Sequence, residues 1–244
     1  MLGYKAKAQI FVTDNATALE LSSYLTGEGV IVLNPTLNGT CPTTAVGKFN
    51  HNNNPVTTMG IDSGVVLTCG RAVTAGTTFG VNAPAEPSFA SNVFPPAFPY
   101  APGDPLLTAL AGIATNDACI LEFDFVPAGD SIKFDYVFAS EEYNGYHGNF
   151  NCSINDVFGF FISGPGFTGQ QNIAIVPGSP NVPVGVSTVN DGVGGCSLYP
   201  QYYNNNATSP YLVYSGYTDV FVAQAQVSPC DTYHLKIAIA DASD

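Results

Sequence analysis

The chain alternates. In "ACILEFDFV", Leu121, Phe123 and Phe125 fall on one side of an extended chain and Glu122 and Asp124 on the other. That is the two-residue period of a strand with one buried face. After "PAGDS" the pattern resumes in "IKFDYVF", which turns Ile132, Phe134, Tyr136 and Phe138 inward. Two such runs around a Pro/Gly turn predict a hairpin. "TYHLKIAIA" repeats the pattern, with Tyr233, Leu235, Ile237 and Ile239 inward against His234 and Lys236. Shorter or more continuously apolar runs ("GVIVLNPTL", "GVVLTCG", "DVFGFFIS", "NIAIV", "VGVSTV" and "DVFVAQAQV") predict strands covered on both faces or lying deep in a sandwich.

Helical spacing occurs in two places. Thr17 and Glu20 fit a capping box ahead of a stripe formed by Ala18, Leu21 and Leu25, with Gly27 as the stop. Further on, Asp104 is an N-cap, Pro105 takes the first helical position and "LLTALA" runs to Gly112. Residues 75–105 are proline-rich and aperiodic, which predicts a long excursion packed by its own Phe and Tyr side chains. A domain boundary there is the alternative, although the N-terminal segment has too few strands to close a core of its own. The expected fold is all-β: a two-sheet β-sandwich, jelly-roll-like, with one or two short helices in the N-terminal half. Ala6-Lys7-Ala8 resembles the end of a secretory signal, yet "MLGYK" is too short for its apolar region. Residues 1–8 are therefore read as a signal-peptide remnant or a disordered start, and residues 9–244 as one domain, a fragment of a longer chain.

Composition narrows the partners. Hydrophobic residues make up 45% of the 244 and charged ones only 10%, which suits a large core under a polar, uncharged surface. Six basic residues stand against 19 acidic ones, a formal net charge of −13. Such a surface repels phosphate backbones and offers no basic patch, so nucleic acid is not an expected partner. Anionic membranes are disfavoured for the same reason. No stretch approaches about 18 consecutive apolar residues, so no membrane span is expected. Divalent cations are the partners this balance favours.

The six cysteines are widely spread and include no C-x-x-C. Three disulfides in an oxidising compartment are the expectation, paired Cys41–Cys69, Cys119–Cys230 and Cys152–Cys196 from the strand pairing above.

Catalytic signatures are thin. "GIDSG" sets its serine one position late for a nucleophile elbow, and no H-x-H or H-E-x-x-H occurs. Glu141 and Glu142 are adjacent, so in extended chain they point to opposite sides, poor geometry for two-carboxylate hydrolysis. No enzyme is expected; a glycoside hydrolase, with Asp156 as the second carboxylate, is the third reading. Calcium is better motivated, because hard cations take about six to eight oxygens. Glu141, Glu142, Asn155 and Asp156, with Asp191 of "TVNDG", are the candidate ligands. The bland account is that such residues make turns and keep strand edges from pairing. Tyr199, Tyr202 and Tyr203, set among amides in "SLYPQYYNNN", could stack on a glycan, which gives a lectin-like alternative; ordinary loop packing is the plainer account.

"FDYVFASEEYNGY", "NDVFGFFISGPG", "NIAIVPG", "VSTVNDG" and "YHLKIAIADASD" together resemble the choice-of-anchor L domain of secreted surface proteins of Bacteroidota. The resemblance spans most of the chain and is densest after Cys119. It implies a secreted cell-surface adhesive or structural module, exported by the type IX secretion system and related to gliding proteins, with no enzymatic activity. Its partners would be other surface-protein segments or neighbouring subunits, glycans, and the export machinery in transit. Glu141, Glu142 and Asp156 fall in the hallmark motif, without an assigned role.

Overall fold

The computed structural model describes residues 11–39, 45–50, 59–70, 72, 102–140, 142–143, 155–192, 198–206 and 214–242. In chain order the elements are β1 (Phe11–Asp14), α1 (Ala18–Thr26), β2 (Val30–Gly39), β3 (Val46–Asn50), β4 (Ser63–Leu67) and α2 (Pro105–Ala111). There follow β5 (Thr115–Pro127), β6 (Ser131–Tyr136), β7 (Ala139–Ser140), β8 (Val157–Ser163) and β9 (Gln171–Asn172). A 3-10 turn (Pro200–Tyr202), β10 (Tyr203–Asn205), β11 (Gly216–Thr218), β12 (Phe221–Gln226) and β13 (Tyr233–Ala242) complete the order.

The helices start and stop where their caps dictate. Thr17 Oγ1 accepts from the Glu20 amide at 3.2 Å while Glu20 Oε2 accepts from the Thr17 amide at 2.8 Å. Two otherwise orphaned donors are thereby satisfied. At α2, Asp104 Oδ1 accepts from the amides of Leu106 and Leu107, and Gly112 closes the helix in the left-handed region at φ 75°, where a side chain would be strained.

Five strands in the order β2-β5-β13-β8-β9 form the main antiparallel sheet. Leu121, Phe123 and Phe125 of β5, Leu235 and Ile237 of β13, and Phe160 and Ile162 of β8 share its inner face and are buried. Each such side chain contributes about 1.5–3 kcal/mol of burial. At one end of the opposite face, Leu107 of α2 packs on Ala118, Ile120, Phe161, Ala238 and Ala240. Above the inner face sit two smaller sheets. One is β1-β3-β4, which reaches the core through Val46, Val65 and Leu67; the other is β12-β6, reaching it through Phe221, Ala223, Ile132 and Tyr136. β10-β11-β7 form a fourth sheet. The chain is thus all-β, but where two sheets were expected the strands of the described residues divide among four.

Several local expectations are corrected. β5 and β6 do not form a hairpin: β5 pairs with β2 and β13, and β6 with β12. The "PAGDS" turn carries the chain from one layer to the other, so the two apolar faces meet across the core instead of lying side by side. "VGVSTV" is a turn with one bridge, Val157 to Gly185, and of "NIAIV" only Asn172 lies in a strand. Among the described residues β2 is an edge strand, with Ile31 and Leu33 exposed, and β12 alternates buried with exposed. Neither is covered on both faces.

The cysteine pairing is also corrected. Cys69 is a buried free thiol and Cys230 an exposed one, so neither Cys41–Cys69 nor Cys119–Cys230 is formed, and three disulfides are not made. Cys230 donates its amide to Pro127 at the far end of β5 from Cys119. That stretch of strand is roughly 27 Å long, and a disulfide joins Cα atoms only about 4.4–6.8 Å apart. Cys119 is disulfide-bonded. Cys41, Cys152 and Cys196 lie outside the described residues.

Candidate functional site

The hallmark residues gather at one end of the main sheet. Ser140, the last residue of β7, donates its hydroxyl to Asp156 Oδ2 at 2.8 Å and accepts the Glu142 amide at 3.0 Å. Asp156 Oδ1 accepts the Ala242 amide of β13 at 3.4 Å, and the Asp156 carbonyl accepts the Val186 amide. One carboxylate therefore joins the starts of β8 and of the hallmark loop to the end of the central strand. Asn155 extends the knot: its Oδ1 accepts the Ser187 amide at 3.0 Å, and its Nδ2 donates to the carbonyl of Ala111 in α2 at 3.3 Å. Gly185 is required beside it, because a Cβ there would lie 2.9 Å from Asn155 Oδ1 and 3.1 Å from the Asp156 carbonyl oxygen.

Of the residues proposed as calcium ligands, the structure brings Glu142, Asn155 and Asp156 to this knot and leaves Asp191 exposed on the turn beyond Asn190. Glu142, Asn155 and Asp156 are all buried. Glu141 lies outside the described residues. Among the described residues, no three Asp, Glu, His or Cys side chains come together as a metal-binding group.

Two further acids escaped the motif reading. Asp241 is buried near the end of β13, and Asp117 is buried where β5 bulges, with its backbone at φ 48°. Both lie beside the Cys69 thiol. Burial pushes that thiol well above its ordinary pKa, and the negative charges of Asp241, Asp156 and Asp117 push it further. A thiol so placed stays protonated and inert. The signal available in the sequence was only that "TNDACI" and "IADASD" put Asp at the ends of two strands that pair.

The tyrosines pack on one another and on the core. Tyr199 stacks on Tyr202 at 6.4 Å, the Tyr202 ring meets Phe221 edge-on at 5.3 Å, and its hydroxyl donates to the Pro177 carbonyl. Tyr203 lies 5.0 Å from Tyr143, and all three pack on the main core. Tyr143 is buried beneath them with no hydrogen-bond partner for its hydroxyl, and burial raises its pKa.

A second polar cluster occupies the outer face of the main sheet. His234 Nδ1 lies 2.9 Å from Asp124 Oδ1, and His234 Nε2 lies 3.6 Å from Glu122 Oε1. Asn34 donates to Asp124, and Asn38 to Glu122. The Asn34 bond, then the His234 bond, hold the Asp124 carboxyl below its ordinary pKa. These are cross-strand neighbours: His234 stands opposite Asp124, and Leu33, next to Asn34, stands opposite it from the other side.

The fold and this site define an all-β domain whose polar signature residues fasten strand ends to one another. The chain belongs to the choice-of-anchor L domain family, whose model matches residues 11–244. It is accordingly a cell-surface-associated module. Among the described residues no helix is long and apolar enough to cross a membrane. No curated protein and no solved structure matches the chain.

Proposed function

We propose that the chain is an adhesive or structural module displayed on the cell surface, carried there as a type IX secretion substrate. The observation that carries this reading is what the hallmark residues do: Ser140, Asn155 and Asp156 hold strands and turns through 2.8–3.3 Å bonds. Side chains so engaged suit a rigid display scaffold better than bond cleavage, for which a carboxylate must face its substrate. The same bonds account for Asn155 and Asp156 without calcium, so equal melting temperatures in calcium and in EGTA are expected.

The test is made on cells that carry the full-length protein. Protease shaving of intact cells removes the domain, and deleting it reduces attachment to a surface or to neighbouring cells without changing growth. Protection from shaving would overturn the surface reading, and unchanged attachment would overturn the adhesive one. Release of sugar from a chromogenic glycoside panel, lost in Asp156→Asn, would replace the reading with a hydrolase. Glycan-array binding lost in Tyr199→Ala would replace it with a lectin.

A further inference from the structure

β4 and β6 each have one strand neighbour among the described residues, β3 and β12 respectively. Both lie over the same face of the main sheet, because Val65 and Leu67 of β4 and Ile132, Phe134 and Tyr136 of β6 all join the main core. Between them is an opening of about 460 Å³. A cavity above a sheet face is lined by alternate residues, since successive side chains point to opposite faces. This one is lined by every residue of β4 and by residues 133–137 in unbroken succession. It therefore looks onto the two backbone edges. Phe158, Phe160, Ile237 and Ile239 line it from the main sheet. Tyr136, only 6% exposed, also lines it, and its hydroxyl has no hydrogen-bond partner.

We propose that this opening receives an extended strand from another protein. Laid between β4 and β6, such a strand would join β1-β3-β4 to β6-β12 as one continuous layer facing the main sheet, the strand-addition mode of recognition. Backbone rows along both walls call for an occupant with its own N–H and C=O groups, which a small apolar molecule lacks. The strand would alternate, apolar toward Phe158 and Ile237, polar toward the exposed rim of Lys133 and Asp135. The Tyr136 hydroxyl supplies one further bond. With a net charge of −13 on the chain, a second copy is repelled and a neutral or basic strand is favoured. The proposal does not depend on the adhesive reading.

The probe is a synthetic heptapeptide of alternating threonine and valine with one terminal lysine, added to the full chain. Hydrogen exchange is followed at residues 63–67 and 133–137. Edge amides are expected to exchange rapidly in the free protein and to slow at least about tenfold with peptide, as amides newly paired in a ladder do. A backbone N-methylated peptide of the same sequence fails to bind. Tyr136→Phe, which preserves volume and fold, weakens binding roughly fivefold, the worth of one hydrogen bond. No slowing at millimolar peptide overturns the proposal, and so does equal binding of the methylated peptide. Edge amides already slow in the free protein also overturn it: at every concentration, because the chain then fills its own opening, or only when concentrated, because a second copy does.

Discussion

Asp156→Ala tests whether the hallmark acid is a fastener. The substitution removes the acceptor for the Ser140 hydroxyl at 2.8 Å and for the Ala242 amide at 3.4 Å, both in a buried setting. A hydrogen bond to a charged group contributes about 1.5–3 kcal/mol, and the longer bond to Ala242 adds about 0.5–1 kcal/mol. Relief of repulsion with nearby Asp117 and Asp241 offsets part of this sum, so a loss of about 1–3 kcal/mol is expected. For a chain of this size each kcal/mol shifts the midpoint by about 2–4 °C, giving a fall of roughly 2–12 °C. Urea unfolding measures it, as a lowered midpoint at unchanged slope. A double-mutant cycle with Ser140→Ala separates the bond from the charge relief and should return a coupling of about 1–2 kcal/mol. Asp156→Ala within about 0.5 kcal/mol of the parent, the range of an ordinary surface change, or a coupling near zero, would refute the fastener.

Tyr143→Phe should leave stability unchanged or raise it by about 1 kcal/mol, because the buried hydroxyl has no partner to lose; urea unfolding that shows a clear loss would contradict this. Toward acid, Asp124 matters: a carboxyl held below its ordinary value stabilises the fold above that value and loses the contribution as pH falls through the folded one. Asn34→Ala should therefore flatten the fall in melting temperature below about pH 4, and an identical acid limb would count against the bond. Toward alkali the sign reverses. The Cys69 thiol binds its proton more tightly folded than unfolded, so stability falls as pH rises past about 9.0, and Cys69→Ala should remove part of that slope. A thiol-reactive dye, located by peptide mapping, should label exposed Cys230 at once and Cys69 only on unfolding; rapid label on the Cys69 peptide of the folded protein would show the burial to be wrong.

Local chemistry was readable from the chain where its cause is local. The Thr17–Glu20 box and the Asp104–Pro105 start each rest on atoms within four residues, and both helices form there. Alternation in β5, β6 and β13 told which side chains turn inward, and Leu121, Ile132 and Leu235 are buried. What a two-residue period does not encode is which strand lies alongside. Facing layers and neighbouring strands bury the same side chains, so β5 and β6 read as a hairpin when they are opposite walls of one core. The site divides in the same way. Asp156 stood out because it sits in a dense motif, whereas Asp117 and Asp241 come together only through the pairing of strands remote in sequence. The tyrosines cluster in sequence, but the contacts of Tyr202 with Phe221 and of Tyr203 with Tyr143 join residues distant in the chain, which composition does not encode.

The Ala242–Asp156 bond has a consequence for load. β13 runs between β5 and β8, antiparallel to both, and its ladder bonds lie across the strand axis. A pull applied along β13 at Ala242 loads those two ladders together in shear, so that many bonds must fail at once instead of unzipping singly. Asp156 sits at the point where the pull enters, gripping the last amide of the strand before the ladders feel it. Severing that grip should lower the force at which the domain gives way under tension by more than it lowers resistance to urea.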